Sequence, residues 1–249
     1  MDAQLCDQAV YLPDEDALVV ADLHVGRDAD SALELPLGER ADLTDRLADL
    51  LAKFLPAEVV VAGDLLHAFD RVPEGVAETV AALGETVAAA GAELVVVRGN
   101  HDAMLDPVLD SVADSYLADE SADAAASAPA SVPTAEEYRL GDTLVVHGHA
   151  PPEASADRYV VGHDHPAIEI EGTRHPCLLY GPGTYRGGDV LMVPAFNRLA
   201  PGATVNGMWA DDFQSPLVRD AEALRPVVWD AERGEQLSFP PLGEFRKML

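Results

Sequence analysis

Seven of the eight histidines in this 249-residue chain lie in or beside five short polar clusters, and only His175 stands apart. The clusters are Asp22-Leu23-His24, Gly63-Asp64 with His67 just beyond it, Gly99-Asn100-His101-Asp102, His147-Gly148-His149 and Gly162-His163-Asp164-His165. Imidazole nitrogens, carboxylate oxygens and an amide oxygen are the donors that Mn, Fe or Zn accept. Asp22 and His24, on alternate residues after an apolar run, can converge on one ion. The carboxylate of Asp64 can bridge two ions, one oxygen to each. Asn100 offers a neutral oxygen, and His101 can give a proton to a leaving alkoxide. Gly99 is expected to permit a tight turn before them. Taken singly these patterns are weak. Asp22 and Asp64 would also suit helix N-caps, and Asn-His-Asp suits an ordinary polar turn. Core histidines, however, would scatter along the chain, whereas these gather at the ends of apolar runs.

Those runs are the elements that must position the clusters. Ala17 to Ala21 ends at Asp22, Val59 to Ala62 at Gly63, Leu94 to Val97 just before Gly99, Leu144 to Val146 at His147, and Tyr159 to Val161 at Gly162. Short β-branched runs bounded by Gly and Asp read as buried strands. Between the first two, Leu43, Leu47, Leu50, Leu51 and Phe54 recur at helical spacing, and Pro56 stops the pattern. Between the second and third, Val76 to Ala90 carries Val76, Val80, Leu83 and Val87 on one face, with Gly91 as a C-cap. Strand–helix–strand–helix–strand indicates an α/β sheet, whose ligand site lies beyond the carboxyl ends of the strands. Ala118 to Pro133 is Ala, Ser, Asp and Pro with almost no large apolar residue, and reads as a flexible insertion within a single domain spanning 1–249. Further strand-like pieces such as Val190 to Val193 are expected to complete a second sheet.

Read in order, DLH, GDLLH, GNHD, HGH and GHDH resemble the motifs of the calcineurin-like metallophosphoesterases over roughly Ala17 to Pro166, with no ligand position missing. The resemblance implies a four-layer α-β-β-α sandwich of two mixed sheets flanked by helices. It implies two divalent metal ions, Mn²⁺ first, with Zn²⁺, Fe or Ni²⁺ as alternatives. Asp22, His24 and His165 would hold one ion, Asn100, His147 and His163 the other, and Asp64 would bridge them. His101 matches the general acid and Asp102 the residue that orients it. His67, one helical turn past Asp64, and His149 are candidate substrate contacts; each can instead support a neighbouring ligand. On this pattern a metal-bridging hydroxide attacks phosphorus in line while His101 protonates the leaving group. The stretch YLPDEDALVVADLHVG, the GDLLH form and Met192 to Asn206 are similar to archaeal phosphoesterases related to the SbcD-type repair nucleases, and to bacterial phosphoesterases encoded near DNA ligase and helicase genes. That likeness implies a compact stand-alone hydrolase of a phosphoester, a phosphodiester first. A DNA or RNA nuclease is the second reading, and a non-enzymatic metal-binding scaffold the third. A metallo-β-lactamase-type site is rejected, because His147-Gly148-His149 runs into Ala150-Pro151 where that site needs Asp-His.

Composition narrows the partners. The chain holds 44 Asp and Glu against 16 Lys and Arg, for a net charge of −28. Lys53 and Lys247 are its only lysines. Dense carboxylates of this kind suit a halophile's cytosol, where salt screens their repulsion. They oppose a general nucleic-acid surface, which needs cationic patches. Arg27 can reach an anion, but a surface ion pair with Asp28 or Asp30 is the plainer role. Two cysteines, Cys6 and Cys177, exclude a disulfide framework. Positions 1–20 carry no basic stretch followed by a long apolar one, and no apolar run reaches membrane length. No secretory leader is therefore expected, and a soluble cytoplasmic protein is, with a phosphoester, a nucleotide or a nucleic acid as its partner and no membrane.

Overall fold

The computed structural model describes residues 2–30, 38–68, 70–118 and 132–248. Three N-terminal strands, β1 (Gln4–Cys6), β2 (Ala9–Leu12) and β3 (Ala17–Val20), run antiparallel. The chain then adds β4 (Glu58–Ala62), β5 (Glu93–Val97) and the short β6 (Thr134–Ala135) in parallel, giving a sheet of order β1-β2-β3-β4-β5-β6. The connections are helical: α1 (Glu39–Phe54), α2 (Val76–Ala89) and α3 (Leu105–Ala118). Parallel strands require such crossovers, and the helices cover one face of the sheet.

The second sheet holds β7 (Glu137–Leu140), β8 (Thr143–Val146), β9 (Arg158–Val161), β10 (Pro166–Ile170), β11 (Thr173–Tyr185), β12 (Gly188–Met192), β13 (Ala203–Thr204), β14 (Arg225–Asp230) and β15 (Glu235–Ser238). Its order is β13-β10-β11-β12-β9-β8-β7, with β14 pairing β11 and β15 pairing β14. Here β8, β9 and β12 are mutually parallel, and β7 and β11 run against them.

Each strand at the centre is buried on both faces, which is why its sequence is continuously apolar. Along β3, Ala17 and Val19 point to the seam between the sheets, where they join Val60, Val95, Val145, Val160, Leu178 and Leu191. Leu18 and Val20 point the other way, onto Leu43, Leu47 and Leu51 of α1 and Val80 and Leu83 of α2. The outer face of the second sheet is covered by Val205, Phe213, Leu217 and Leu224, from short 3-10 turns and the loops that join them, and by Leu242 and Phe245 of α4 (Leu242–Phe245). The architecture is therefore two mixed sheets flanked by helices, with the outer layer on the second sheet much thinner than that on the first.

The expected strands and the first two helices lie within a few residues of their sequence limits. Helix α1 ends with Leu55 in the left-handed region (φ 49°), its N–H bonded to the Leu51 carbonyl. Helix α3 had no counterpart in the sequence reading. It is amphipathic all the same, with Leu105, Val108 and Val112 buried on one side. Most of the expected insertion at 118–133, namely 119–131, lies outside the described residues. At its edges Ala118 ends α3, and Val132 packs on the helix-side core. No helix among the described residues is long and apolar enough to cross a membrane.

Candidate metal centre

Strands β3, β4 and β5 are parallel, so the loops at their carboxyl ends share one edge of the first sheet. Those after β8 and β9 share an edge of the second. Backbone hydrogen bonds stitch these loops together. The Asp22 N–H donates to the Gly63 carbonyl (3.0 Å), the His24 N–H to the Asp64 carbonyl (2.9 Å), and the Gly162 N–H to the His147 carbonyl (3.0 Å). Across the seam, the His163 N–H donates to Asp22 Oδ2 (3.0 Å).

Two groups of donor atoms result. In the first, His165 Nε2 lies 3.2 Å from His24 Nε2 and 3.2 Å from Asp22 Oδ1. In the second, His147 Nε2 lies 3.1 Å from His163 Nδ1, 3.0 Å from Asn100 Oδ1 and 3.4 Å from Asp64 Oδ2. Asp64 Oδ2 is also 3.9 Å from His24 Nε2, which puts it between the groups. The structure thus brings together all seven ligand candidates, Asp22, His24, Asp64, Asn100, His147, His163 and His165. Bonds of about 2.1 Å meeting at right angles would separate neighbouring ligand atoms by about 3.0 Å, close to the gaps found here. Imidazole nitrogens facing each other at this range can share one proton at most, whereas a cation satisfies both lone pairs. The Nδ1–H of His147 donates to the Ala62 carbonyl (3.1 Å), which leaves Nε2 as the free donor toward the group. The residues present fit two divalent ions.

A third group joins His24 to His67 and His101. The rings of His67 and His101 stack with centroids 6.1 Å apart and planes 10° from parallel. The Nδ1–H of His101 donates to the His67 carbonyl (2.8 Å), and Nε2 faces inward, 3.8 Å from Asp64 Oδ2. On the opposite side, the exposed His149 has its ring 5.3 Å from that of His147 and 6.2 Å from that of His163. The backbone is bent to achieve this. Asp22, His24, Asp64, His163 and His165 all have positive φ, between 44° and 76°. Such conformations cost side-chain-bearing residues about 1–3 kcal/mol each and gather at functional sites.

A family model for calcineurin-like phosphoesterases matches residues 17–169, more than half of the chain. The chain belongs to the calcineurin-like phosphoesterase family. Among solved structures, the nuclease MPE of Pseudomonas putida superposes with a TM-score of 0.60 at 24% identity, covering 93% of this chain and 92% of that one. The E. coli phosphoesterase YfcE gives a TM-score of 0.38 at 16% identity, over 90% of this chain and 98% of that one. A comparison with curated proteins finds no match.

One detail of the phosphoesterase's site differs from the sequence reading, and two sharpen it. His67 is not one helical turn beyond Asp64. Leu66 forms a parallel bridge with Val25, and the His67 N–H donates to the Val25 carbonyl (3.1 Å), so the segment runs extended beside the first motif. Gly99 opens the expected turn, the Asp102 N–H donating to its carbonyl (3.3 Å), but its backbone is not left-handed. It is glycine because a Cβ there would stand 2.1 Å from Asp64 Oδ1 and 2.3 Å from Asp64 N. Asp102 works through the backbone, accepting from the Gly99 N–H (2.8 Å) and the Leu66 N–H (3.0 Å). It clamps the His101 turn to the chain beyond Asp64, and the His67 carbonyl aims the His101 ring.

Burial shapes the charge of the centre. It pushes the Asp64 carboxyl up, but the hydrogen bond and charge of His147, with the His101 N–H, outweigh it and hold the group at about 2. Burial pulls His147 down, yet its hydrogen bond to Asp64 and the charges of Asp22 and Asp64 raise it to about 9. Burial lowers His24 to about 4, against the pull of Asp22 and Asp64. Burial and the His147 charge lower His163 to about 4. At pH 7 the metal-free phosphoesterase therefore carries its proton on His147, with His24 and His163 neutral. A cation must expel that proton, so raising pH favours loading. Calorimetric titration with Mn²⁺ in buffers of different ionisation enthalpy should show about one proton released at pH 7. Release should fade as pH passes about 9, the His147 value. A proton count near zero at pH 7 would remove His147 from the ligand set.

Three buried supports escaped the sequence reading. Glu39, at the start of α1, accepts from the Gly26 N–H (2.7 Å) and the Arg27 N–H (3.1 Å). Asn197 donates to Glu39 (2.9 Å) and to the Leu23 carbonyl (2.8 Å), bracing the first motif from behind. Asp164, between His163 and His165, accepts from the Gln214 and Ser215 N–H groups (2.8 and 3.0 Å) and ties the fifth motif to the outer layer. Asp164 and Asn197 stood inside quoted motifs, and their burial was the missing signal. Arg27 donates through Nε to the Leu199 carbonyl (2.9 Å).

Proposed function

We propose that this metal-dependent phosphoester hydrolase cleaves a phosphodiester at a two-ion centre, with His101 Nε2 delivering the proton to the leaving oxygen. The observation that carries the reading is the ring of His101. Its Nδ1 is fixed on the His67 carbonyl, while Nε2 faces the centre from outside both ligand groups. Ions bound there supply positive charge for the phosphoryl oxygens and lower the pKa of water toward neutrality. Asp22 and Asp64 contribute about −2 against the +4 of two divalent ions, so the loaded site is a cationic island in an acidic protein. Asp64 holds the His101 turn through its Oδ1 (2.9 Å from the His101 N–H) while its other oxygen faces both ligand groups. One carboxylate thereby sets the distance between the proton donor and the reacting phosphate.

A nuclease is the second reading, favoured by the fold shared with a protein named as a nuclease. The excess of 44 acidic over 16 basic residues weighs against a polyanionic substrate. The test is a leaving-group series of aryl and alkyl phosphodiesters, assayed after chelation and re-addition of Mn²⁺. His101→Ala should keep both ions, lose about 10²–10⁴-fold on poor leaving groups and lose little on nitrophenyl esters. Equal loss across the series would remove the general acid. No hydrolysis of any member with any divalent ion would remove the diesterase.

A further inference from the structure

A cleft of about 530 Å³ opens beside the second donor group, on the His149 side of the centre. It is large enough for a small organic group. Its lining includes His147 and His149 at the inner end, Pro151 along the wall, and the carboxylates of Glu136, Glu137 and Glu153. No Lys or Arg is among the described residues that line it. Glu137 accepts from the Glu153 and Ala154 N–H groups, so it is tied to the wall. Glu136 and Glu153 are exposed. The nearby cations are held by other partners: Arg98, which acts on Glu136, is bonded to Asp106 and to Thr134 Oγ1, Arg186 donates to the Pro152 carbonyl (2.9 Å) and Arg139 to the Ser155 carbonyl (2.8 Å).

Placement decides which part of a substrate meets this cleft. His101 and His67 stand on the His24 side, 5.0 and 5.5 Å from the His24 ring, whereas His149 stands beside His147 and His163. With the proton donor on the first side, the leaving arm belongs there. The retained arm of a diester then extends along the cleft. We propose that this cleft selects a retained arm ending in an organic cation, an ammonium-alkyl group, over one carrying a second phosphate. The loaded centre is positive and the cleft negative, so a zwitterionic diester matches both along its length. The alkyl stem meets Pro151, and the charge lies against Glu136 and Glu153. A polyanionic strand would place its next phosphate among the same carboxylates.

The inference rests on the diesterase reading above, and one experiment separates the two. Three diesters share a 4-nitrophenyl leaving group and differ in the retained arm: 2-(trimethylammonio)ethyl, its neutral 3,3-dimethylbutyl isostere, and an arm ending in phosphate. They are assayed with the Mn²⁺-loaded protein at the lowest salt that preserves its circular dichroism. The ammonium arm should exceed the neutral arm in kcat/KM by about tenfold, and the neutral arm should exceed the phosphate arm by at least as much. The Glu136→Gln/Glu153→Gln variant should flatten the series while leaving the neutral arm within about twofold. A flat or reversed order in the wild type overturns the selection, as does a variant that keeps the preference. Failure of all three arms to react overturns the diesterase reading itself.

Discussion

Asp64→Asn should lower kcat by about a thousandfold or more and leave the phosphoesterase unable to hold both ions at once. The expectation follows from how many neighbours one carboxylate serves. Its Oδ2 is 3.4 Å from His147 Nε2, 3.9 Å from His24 Nε2 and 3.8 Å from His101 Nε2, and its Oδ1 accepts the His101 N–H at 2.9 Å. An amide keeps the shape but offers one oxygen and one NH₂. If the oxygen faces the donors, the negative charge that draws both cations is gone. If the NH₂ faces them, it opposes the cations outright. Metal content by plasma mass spectrometry, read beside kcat, checks the bridge. Two ions per chain in the Asp64→Asn variant would show that Asp64 does not link them. Because the substitution is isosteric, circular dichroism should be unchanged.

Gly99→Ala should be nearly as damaging by a different route. The added Cβ would meet Asp64 Oδ1 at 2.1 Å and Asp64 N at 2.3 Å, and a backbone nitrogen cannot swing away. Overpacking of this kind costs about 1–3 kcal/mol or more, and here its relief must displace the bridging residue. Metal-free stability by denaturant titration should fall, and metal affinity should fall with it. Gly207 is the control, since a Cβ there meets nothing within 4 Å. Gly207→Ala with the same loss would point to a general sensitivity of the chain; Gly99→Ala at wild-type stability would refute the steric account. The same logic runs around the centre. A Cβ on Gly63 would meet His147 Nδ1 at 2.3 Å, and one on Gly162 would meet Asp22 Oδ2 at 2.7 Å. Each of these glycines makes room for another motif's side chain.

These interlocks explain which parts of the site were legible in the chain and which were not. Strands β3, β4, β5, β8 and β9 were legible because burial on both faces leaves an uninterrupted apolar run that stops at the loop. Helices α1 and α2 were legible from their one-sided leucines and valines. Helix α3 was not, because Asp106, Pro107 and Asp110 break up an apolar face reduced to Leu105, Val108 and Val112. The histidine clusters showed which atoms meet. They did not show that His24, His163 and His165 sit at positive φ, a conformation with no mark in the residue type. Nor does a glycine reveal whether it serves its own dihedral or a neighbour's bulk: Gly99 opens the expected turn, but it is the bulk of Asp64 that requires glycine there. Asp102 was found as a support, but its grip on two N–H groups depends on a close approach of distant loops.

The division of the donor atoms between the sheets has a mechanical meaning. Asp22, His24, Asp64 and Asn100 follow strands of the first sheet, and His147, His163 and His165 follow strands of the second. The first donor group pairs His165 with Asp22 and His24, and the second pairs His147 and His163 with Asp64 and Asn100. Each ion would thus be a rivet through the seam between two layers that otherwise adhere chiefly by apolar contact, at Val19, Val60, Val145 and Val160. Greasy layers tolerate a small slide; coordination bonds do not. Occupancy of the centre would therefore gauge the alignment of the two layers, and strain that shears them apart should be felt as lost cation before any strand unravels.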